Sequence, residues 1–411
     1  MRDRFIVLLE DLPVGVLTRN DSDGSRFQLL ESYRERYPRP VLGQTFLDDL
    51  TRVHSTRARL PPWFSNLLPE GPLRELVARR AGVSETRELK LLARLGEDLP
   101  GAVRVVPDPA EADMTYAPAA DEGPEPAALP GEAQWRFSLA GVQLKFSAMK
   151  AERGLTIPVS GRGGDWILKL PDARYPRVPE NEHATMRWAE QSGIPVSPLE
   201  LVDLADVHGP PNALPPTGER VAFAVRRFDR NDDGSRVHME DFAQILGLYP
   251  ADKYRKYNYA TIANLLLALT GLDGLGDFIR RLVFVVAAGN GDAHHKNWSL
   301  LYPDGMHAAL SPAYDLVATV VYNPDDTLAL NLAGSKRWED VRLGSFRQLS
   351  ERLGIDPGWM DGVVRSAVQD ILGAWESSAG EFGYDAGARE ALVRHMRRVP
   401  LLSAGVLGAA A

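Results

Sequence analysis

The sequence has no cysteine among its 411 residues, which excludes disulfide staples and thiolate metal sites. It also lacks long apolar runs. "FIVLL" near the N-terminus is too short for a secretory signal, and no run approaches the roughly 18 residues that span a bilayer. Basic charge is not in excess: the formal net charge is −8, whereas a general nucleic-acid binder is usually basic. Walker A, G-x-G-x-x-G and H-E-x-x-H patterns are all missing. These absences lead to the expectation of a cytoplasmic protein with no membrane association.

What is present has the make-up of an enzyme: 44% hydrophobic and 25% charged, with length for two or three domains. Residues 107–131 hold six acidic residues, six prolines and no Lys or Arg, and read as a linker or surface loop. They divide residues 1–106 from the rest. That first segment opens with strand-like "FIVLLE" and "GVLTRN" around the turn "DLPV", continues through a helical "RELVARR" and closes on "GAVRVVP". Residues 132–235 are expected to be β-rich, from "FSLAGVQLKFSAMK", "DWILKLP" and "RVAFAVRRF". One helix interrupts them, "ENEHATMRWAEQSG", with an acidic first turn and Gly193 as its stop. Residues 236–411 turn mostly helical, through "DFAQILGLY", "YATIANLLLALT" and "LGDFIRRLVFVVAAG", with more helices from about 343. A small β-rich lobe followed by a larger helical one can enclose a cleft. No internal repeat is present.

The chemistry concentrates in "GNGDAHHKN" (289–297), directly after the apolar run "LVFVVAA". A metal site is one reading. The side chains of adjacent His294 and His295 diverge, however, and helical zinc sites space their histidines four apart. A phosphoryl-transfer loop is the other reading. It needs a carboxylate to take the acceptor's proton, and an Asn and an Asp to hold Mg²⁺ against the phosphates. Asp292 and Asn297 have the D-x-x-x-x-N spacing that offers both from one loop. Asp315, in "LSPAYDL", follows a β-like segment where the second metal ligand is expected. Lys169, mid-strand in "WILKLP", is placed either to snorkel at an edge or to hold a phosphate. Its expected ion-pair partner is Glu182, or else Glu180, on the next helix. Each piece alone is commonplace. Their order is loop, strand lysine, helix glutamate, hinge, D-x4-N and then Asp, which is that of a kinase and predicts ATP-dependent phosphoryl transfer.

The set "SLAGVQLK", "WILKLP", "NEHATMRWAEQSGIPV", "VRRFDR", "MEDFAQILG", "GDAHHKN" and "PAYDL" resembles the HipA serine/threonine kinases, the toxin halves of bacterial toxin–antitoxin pairs. "FSNLLPEGPLRELV" and "LLARLGEDLPGAVRVVP" resemble that family's N-terminal subdomain. The resemblance implies an α+β, protein-kinase-like two-lobed fold: an N-terminal subdomain at 1–106, an ATP-binding lobe at 132–235 and a catalytic lobe at 236–411. It implies Asp292 as catalytic base, Asn297 and Asp315 as Mg²⁺ ligands, and Lys169 on the α/β-phosphates of ATP. Ala140, Gly141, Val142, Gln143, Leu144 and Lys145 would form the phosphate loop. Arg226, Arg227 and Phe228 would form the hinge whose backbone reads adenine. His294, His295, Lys296 and Tyr314 fall at nucleotide-contacting positions. Ser138 matches a serine that such kinases phosphorylate on themselves.

Two positions depart from the family pattern. Leu144 stands where an acidic residue is common, and "GDAHHKN" replaces a commoner "DGHAKN". By the same resemblance the substrate is a protein, an aminoacyl-tRNA synthetase. The partner is a HipB-like helix-turn-helix antitoxin, through which operator DNA is mainly held, with a minor contact of this chain's own from "GSKRW" (334–338). The alternatives are a small-molecule kinase of the aminoglycoside or choline type and a catalytically idle co-repressor.

Overall fold

The structure is a computed structural model that describes residues 4–20, 24–109, 145–150, 155–157, 164–209 and 218–403. Residues 110–131 of the expected linker, Ser138 and residues 140–144 lie outside the described residues.

Alternation in "RFIVLL" puts Phe5, Val7 and Leu9 on the buried face of β1 (Arg4–Leu9). β1 pairs with β2 (Leu12–Arg19), so the turn shrinks to Glu10 and Asp11 and the strand runs on through Pro13. The register slips between Val7 and Leu8, opposite Pro13. A residue without an N–H fits a ladder best where the ladder is already irregular. With β3 (Ser25–Leu29), β4 (His54–Ser55) and β5 (Val103–Pro107) they form an antiparallel sheet ordered β4-β3-β2-β1-β5. Helices Gly71–Arg80 and Glu88–Leu95 join its core, where Phe27, Phe46, Trp63 and Phe64 cluster.

The second sheet holds β6 (Lys145–Lys150), β7 (Leu155–Thr156), β8 (Trp166–Lys169), β9 (Leu199–Asp203), β10 (Val207–His208) and β11 (Val221–Arg226). Their order is β10-β7-β6-β8-β11-β9. The helix Val178–Gln191 packs on it, with His183 against Phe223 of β11, and turns Trp188 to Phe284 and Trp375 of the helical lobe. A third sheet, β12 (His238–Asp241), β13 (Ser299–Tyr302) and β14 (Ala309–Leu310), belongs to the helical lobe. The expected helix "DFAQILGLY" is a single turn, Phe242–Ile245. An Asp241–Gln244 capping box starts it, and Gly247 at φ 61 turns the chain away soon after.

"YATIANLLLALT" and "LGDFIRRLVFVVAAG" run on as one 30-residue helix, Tyr259–Ala288, broken by Gly271 at φ 69. It is the one helix among the described residues long and apolar enough to cross a membrane. Charges at Asp273, Asp277, Arg280 and Arg281 hide this from a search for uninterrupted apolar runs. Leu282 through Ala288 are all fully buried, as in a core helix that is apolar all round. Helices Leu343–Leu353, Pro357–Ser378 and Ala386–Arg398 share that core. Strands and helices thus segregate, an α+β arrangement with a cleft between the second sheet and the helical lobe.

Candidate active site

The cleft is a cavity of about 580 Å³, lined by Lys145, Lys169, Glu182, Asp292, Asn297 and Asp315 among others. Antiparallel register places Lys145 directly across from Lys169, so both side chains leave the sheet on one face. Two like charges so placed repel, and carboxylates offset them. Lys169 Nζ donates to Glu182 Oε1 at 2.5 Å and to Asp315 Oδ1, and Lys145 Nζ lies 4.0 Å from Asp315 Oδ2. Glu182 reaches the lysine because it shares the helix's buried face with Asn181, Thr185 and Met186. Glu180 lies off that face and takes Arg177 at 3.2 Å.

Burial disfavours charge on all four groups, and their mutual attraction decides the outcome. Burial pushes the Lys145 ammonium below its usual range. Burial opposes Lys169 too, but Asp315 and Glu182 hold it above. Against its own burial, Asp315 is kept well below the usual carboxylate range by Lys169 and then Lys145. Burial raises Glu182 to about 7 against the pull of Lys169, helped by the neighbouring Asp315 charge.

The loop opposite starts where the long helix stops. Gly289 sits at φ 60, its N–H bonded back to Val285 and Val286, and a Cβ there would meet Val320 at 2.5 Å. Only glycine suits both conditions. Buried Asn290 then accepts from the Asp292 N–H at 2.9 Å and donates to the Asp315 carbonyl at 3.4 Å. Asn297 Nδ2 donates to the Asp292 carbonyl at 2.8 Å, which frees its Oδ1 as a ligand atom. The Asp292 carboxylate is 51% exposed, facing the cleft. Burial raises it to about 6, against a hydrogen bond from the Tyr254 hydroxyl. Asp315 has left-handed backbone, φ 52, a strained conformation that clusters at functional sites. No group of three or more His, Cys, Asp or Glu among the described residues forms a complete metal cage. The side-chain oxygens of Asn297 and Asp315 nonetheless suit Mg²⁺, which is commonly held by few protein oxygens plus substrate phosphates.

The other expected contacts divide. Phe228 and Tyr314 line the cavity with rings 5.5 Å apart, and the Tyr314 hydroxyl donates to the Lys296 carbonyl at 2.8 Å. Arg226 and Arg227 line it too, but their N–H groups are engaged with Pro198 and Asp165, at 2.8 and 2.7 Å. The Arg227 guanidinium is buried on Asp229 at 2.8 Å, and Arg226 pairs with Asp232. His294 lines the cavity with its ring edge-on to Tyr254, and burial keeps it neutral. His295 is not a lining residue; its Nδ1 pairs with the Lys253 carbonyl at 2.6 Å. Lys296 lines the cavity but turns its ammonium to Asn66 at 2.9 Å and Asp241 at 3.3 Å. In "GSKRW" only Trp338 is fully buried; Lys336 and Arg337 stay exposed, with Lys336 Nζ donating to the Ala329 carbonyl at 2.7 Å. Sequence reading missed Tyr254, Glu70, Lys253 and Asp326, which carry no local motif and meet the site only in the fold.

Residues 5–106 match the sequence model of the HipA N-terminal domain, and residues 137–375 that of the HipA-like C-terminal domain. The candidate kinase Y4dM of Sinorhizobium fredii is 44% identical over 405 residues, 95% of each chain. The serine/threonine-protein kinase toxin HipA of Shewanella oneidensis is 27% identical over 299 residues, 65% of each chain. A solved structure of the toxin–antitoxin system HipA and HipB of Shewanella oneidensis MR-1 with its operator DNA superposes with a TM-score of 0.69. It covers 96% of this chain and 97% of that one at 21% identity, which carries the two-lobed kinase-like fold. With two family models matched in sequence and an end-to-end relative at this identity, the chain belongs to the HipA family of kinases.

Proposed function

We propose that the chain transfers the γ-phosphoryl group of ATP to a serine or threonine hydroxyl of a protein. The observation that carries this is Lys169, held between Glu182 and Asp315 in the cavity that Asp292 also lines. Lys169 and Lys145 supply positive charge for the phosphates. Asn297 and Asp315 hold Mg²⁺, which when bound neutralises charge on the phosphate oxygens. Asp292, near 6 and so largely ionised at neutral pH, accepts the acceptor hydroxyl's proton. Serine/threonine specificity is supported by the name of the Shewanella HipA relative.

The same reading makes Ser138 a self-phosphorylation site, where a phosphate of about −1.5 to −2 charges would repel the triphosphate. It makes the partner a HipB-like antitoxin that carries the pair to operator DNA, supported by the Shewanella complex. The protein substrate is an aminoacyl-tRNA synthetase and the setting cytoplasmic, both supported by family resemblance. Incubation of the full chain with Mg²⁺, radiolabelled ATP and host lysate tests the reading. Label recovered as phosphoserine or phosphothreonine supports it. Label on an added aminoglycoside or choline would favour the small-molecule kinase, and none anywhere would leave an idle co-repressor.

A further inference from the structure

Tyr254 lies in the segment that leads into the long helix, and its hydroxyl donates to Asp292 Oδ1. The backbone beside it is pinned. The Lys253 carbonyl pairs with His295 through its N–H at 3.3 Å and its Nδ1 at 2.6 Å, and Lys253 Nζ donates to Glu70 at 2.8 Å. The Tyr254 ring rests edge-on against buried His294, centroids 4.8 Å apart at 81°, and 40% of the residue is exposed. The inner side of the phenol is fixed and its outer side is open.

We propose that the Tyr254 hydroxyl is a placeholder in the acceptor position, and that transfer requires the side chain to rotate out. This rests on the phosphoryl-transfer reading above. A carboxylate acts as general base only on a hydroxyl within hydrogen-bond reach. In the transfer step the acceptor oxygen bonds to the γ-phosphorus, the bond from that phosphorus to ADP breaks, and the acceptor's proton passes to Asp292. The phenol already donates to the carboxylate that must take this proton. With Lys253 pinned, the cheap escape is rotation of the ring into solvent. An acceptor protein can displace the ring with contacts of its own beyond the site, whereas a lone water brings no further surface to hold the ring away. Tyr254 thereby selects against hydrolysis, and acts as a specificity residue on the acceptor side.

Water is the probe. ADP release from Mg-ATP is measured for the full chain, for Tyr254→Phe and for Tyr254→Phe combined with Asp292→Ala, each checked for folding by thermal melting. Tyr254→Phe should raise kcat for ADP release roughly tenfold, since a hydrogen bond to a charged group is worth at least about 1.4 kcal/mol. KM for ATP should stay unchanged, and the double variant should lose the gain. A rate that falls or does not change in Tyr254→Phe, while the wild type turns over, overturns the placeholder alone. Phosphate found on Tyr254 by mass spectrometry also overturns it, because the phenol would then be an acceptor. No ADP from folded Tyr254→Phe, with label still passing from Mg-ATP to protein, overturns the placeholder alone; no label on protein either overturns the transfer reading with it.

Discussion

Lys296 Nζ donates to both the carbonyl and the side-chain oxygen of Asn66, 230 residues earlier, at 2.9 Å each. The loop that carries Asp292 and Asn297 is therefore tied to the N-terminal segment. Asn66 Nδ2 extends the joint to the Leu248 carbonyl at 2.7 Å. Asn66→Ala leaves a buried ammonium short of an acceptor and a buried carbonyl short of a donor, and should cost about 1–3 kcal/mol. Denaturant unfolding measures it, and unchanged stability would mean that the joint is slack.

Lys169→Met removes the ammonium between Glu182 and Asp315 and should lower phosphoryl transfer by about a hundredfold or more, the scale of losing one preorganised electrostatic contact. Single-turnover assays read it. A loss under tenfold would move the phosphate contact to Lys145.

Asp315→Asn should weaken Mg²⁺-dependent nucleotide binding, because one carboxylate charge facing the ion is lost. Titration with ATP in Mg²⁺ and then in EDTA should show a large difference for the wild type and a small one for the variant. Equal metal dependence in both would make Asp315 only a partner of Lys169.

Two buried histidines give stability a pH dependence. Burial lowers His238 and His395 to about 4, and each pairs through Nε2 with a backbone carbonyl, of Leu42 and Val286. Unfolded, each returns to about 6.5. Between those values the unfolded chain binds more protons, so stability is full near pH 7 and falls as pH drops from about 6.5 towards 4. At pH 5 each should cost about 2 kcal/mol relative to pH 7, read from denaturant midpoints. His395→Gln should flatten part of that slope.

Much of this site was legible because its parts have local signatures. A lysine closing an apolar strand (Lys169 ends β8 instead of lying in its middle), a glutamate on the apolar face of the following helix and the D-x4-N spacing all survive as patterns in one dimension. The choice of Glu182 over Glu180 needs only the helix period. The register that sets Lys145 across from Lys169 was not legible, since it depends on pairing between two strands. Nor was the direction of the Lys296 ammonium, because Asn66 carries no mark of its distant partner. Tyr254 escaped for the same reason. One mis-sized element, "DFAQILGLY", has apolar residues enough for a longer helix, but Gly247 and Pro250 end it after one turn.

If Asp292 is the base of a phosphoryl-transfer loop, its loss in Asp292→Ala removes the chemistry and spares the nucleotide. Transfer from radiolabelled Mg-ATP to protein is compared for wild type and variant, alongside ATP binding by calorimetry. Transfer should be abolished while ATP affinity is largely kept, because the carboxylate faces the acceptor hydroxyl more than the nucleotide. Wild-type turnover by a folded Asp292→Ala chain would contradict it.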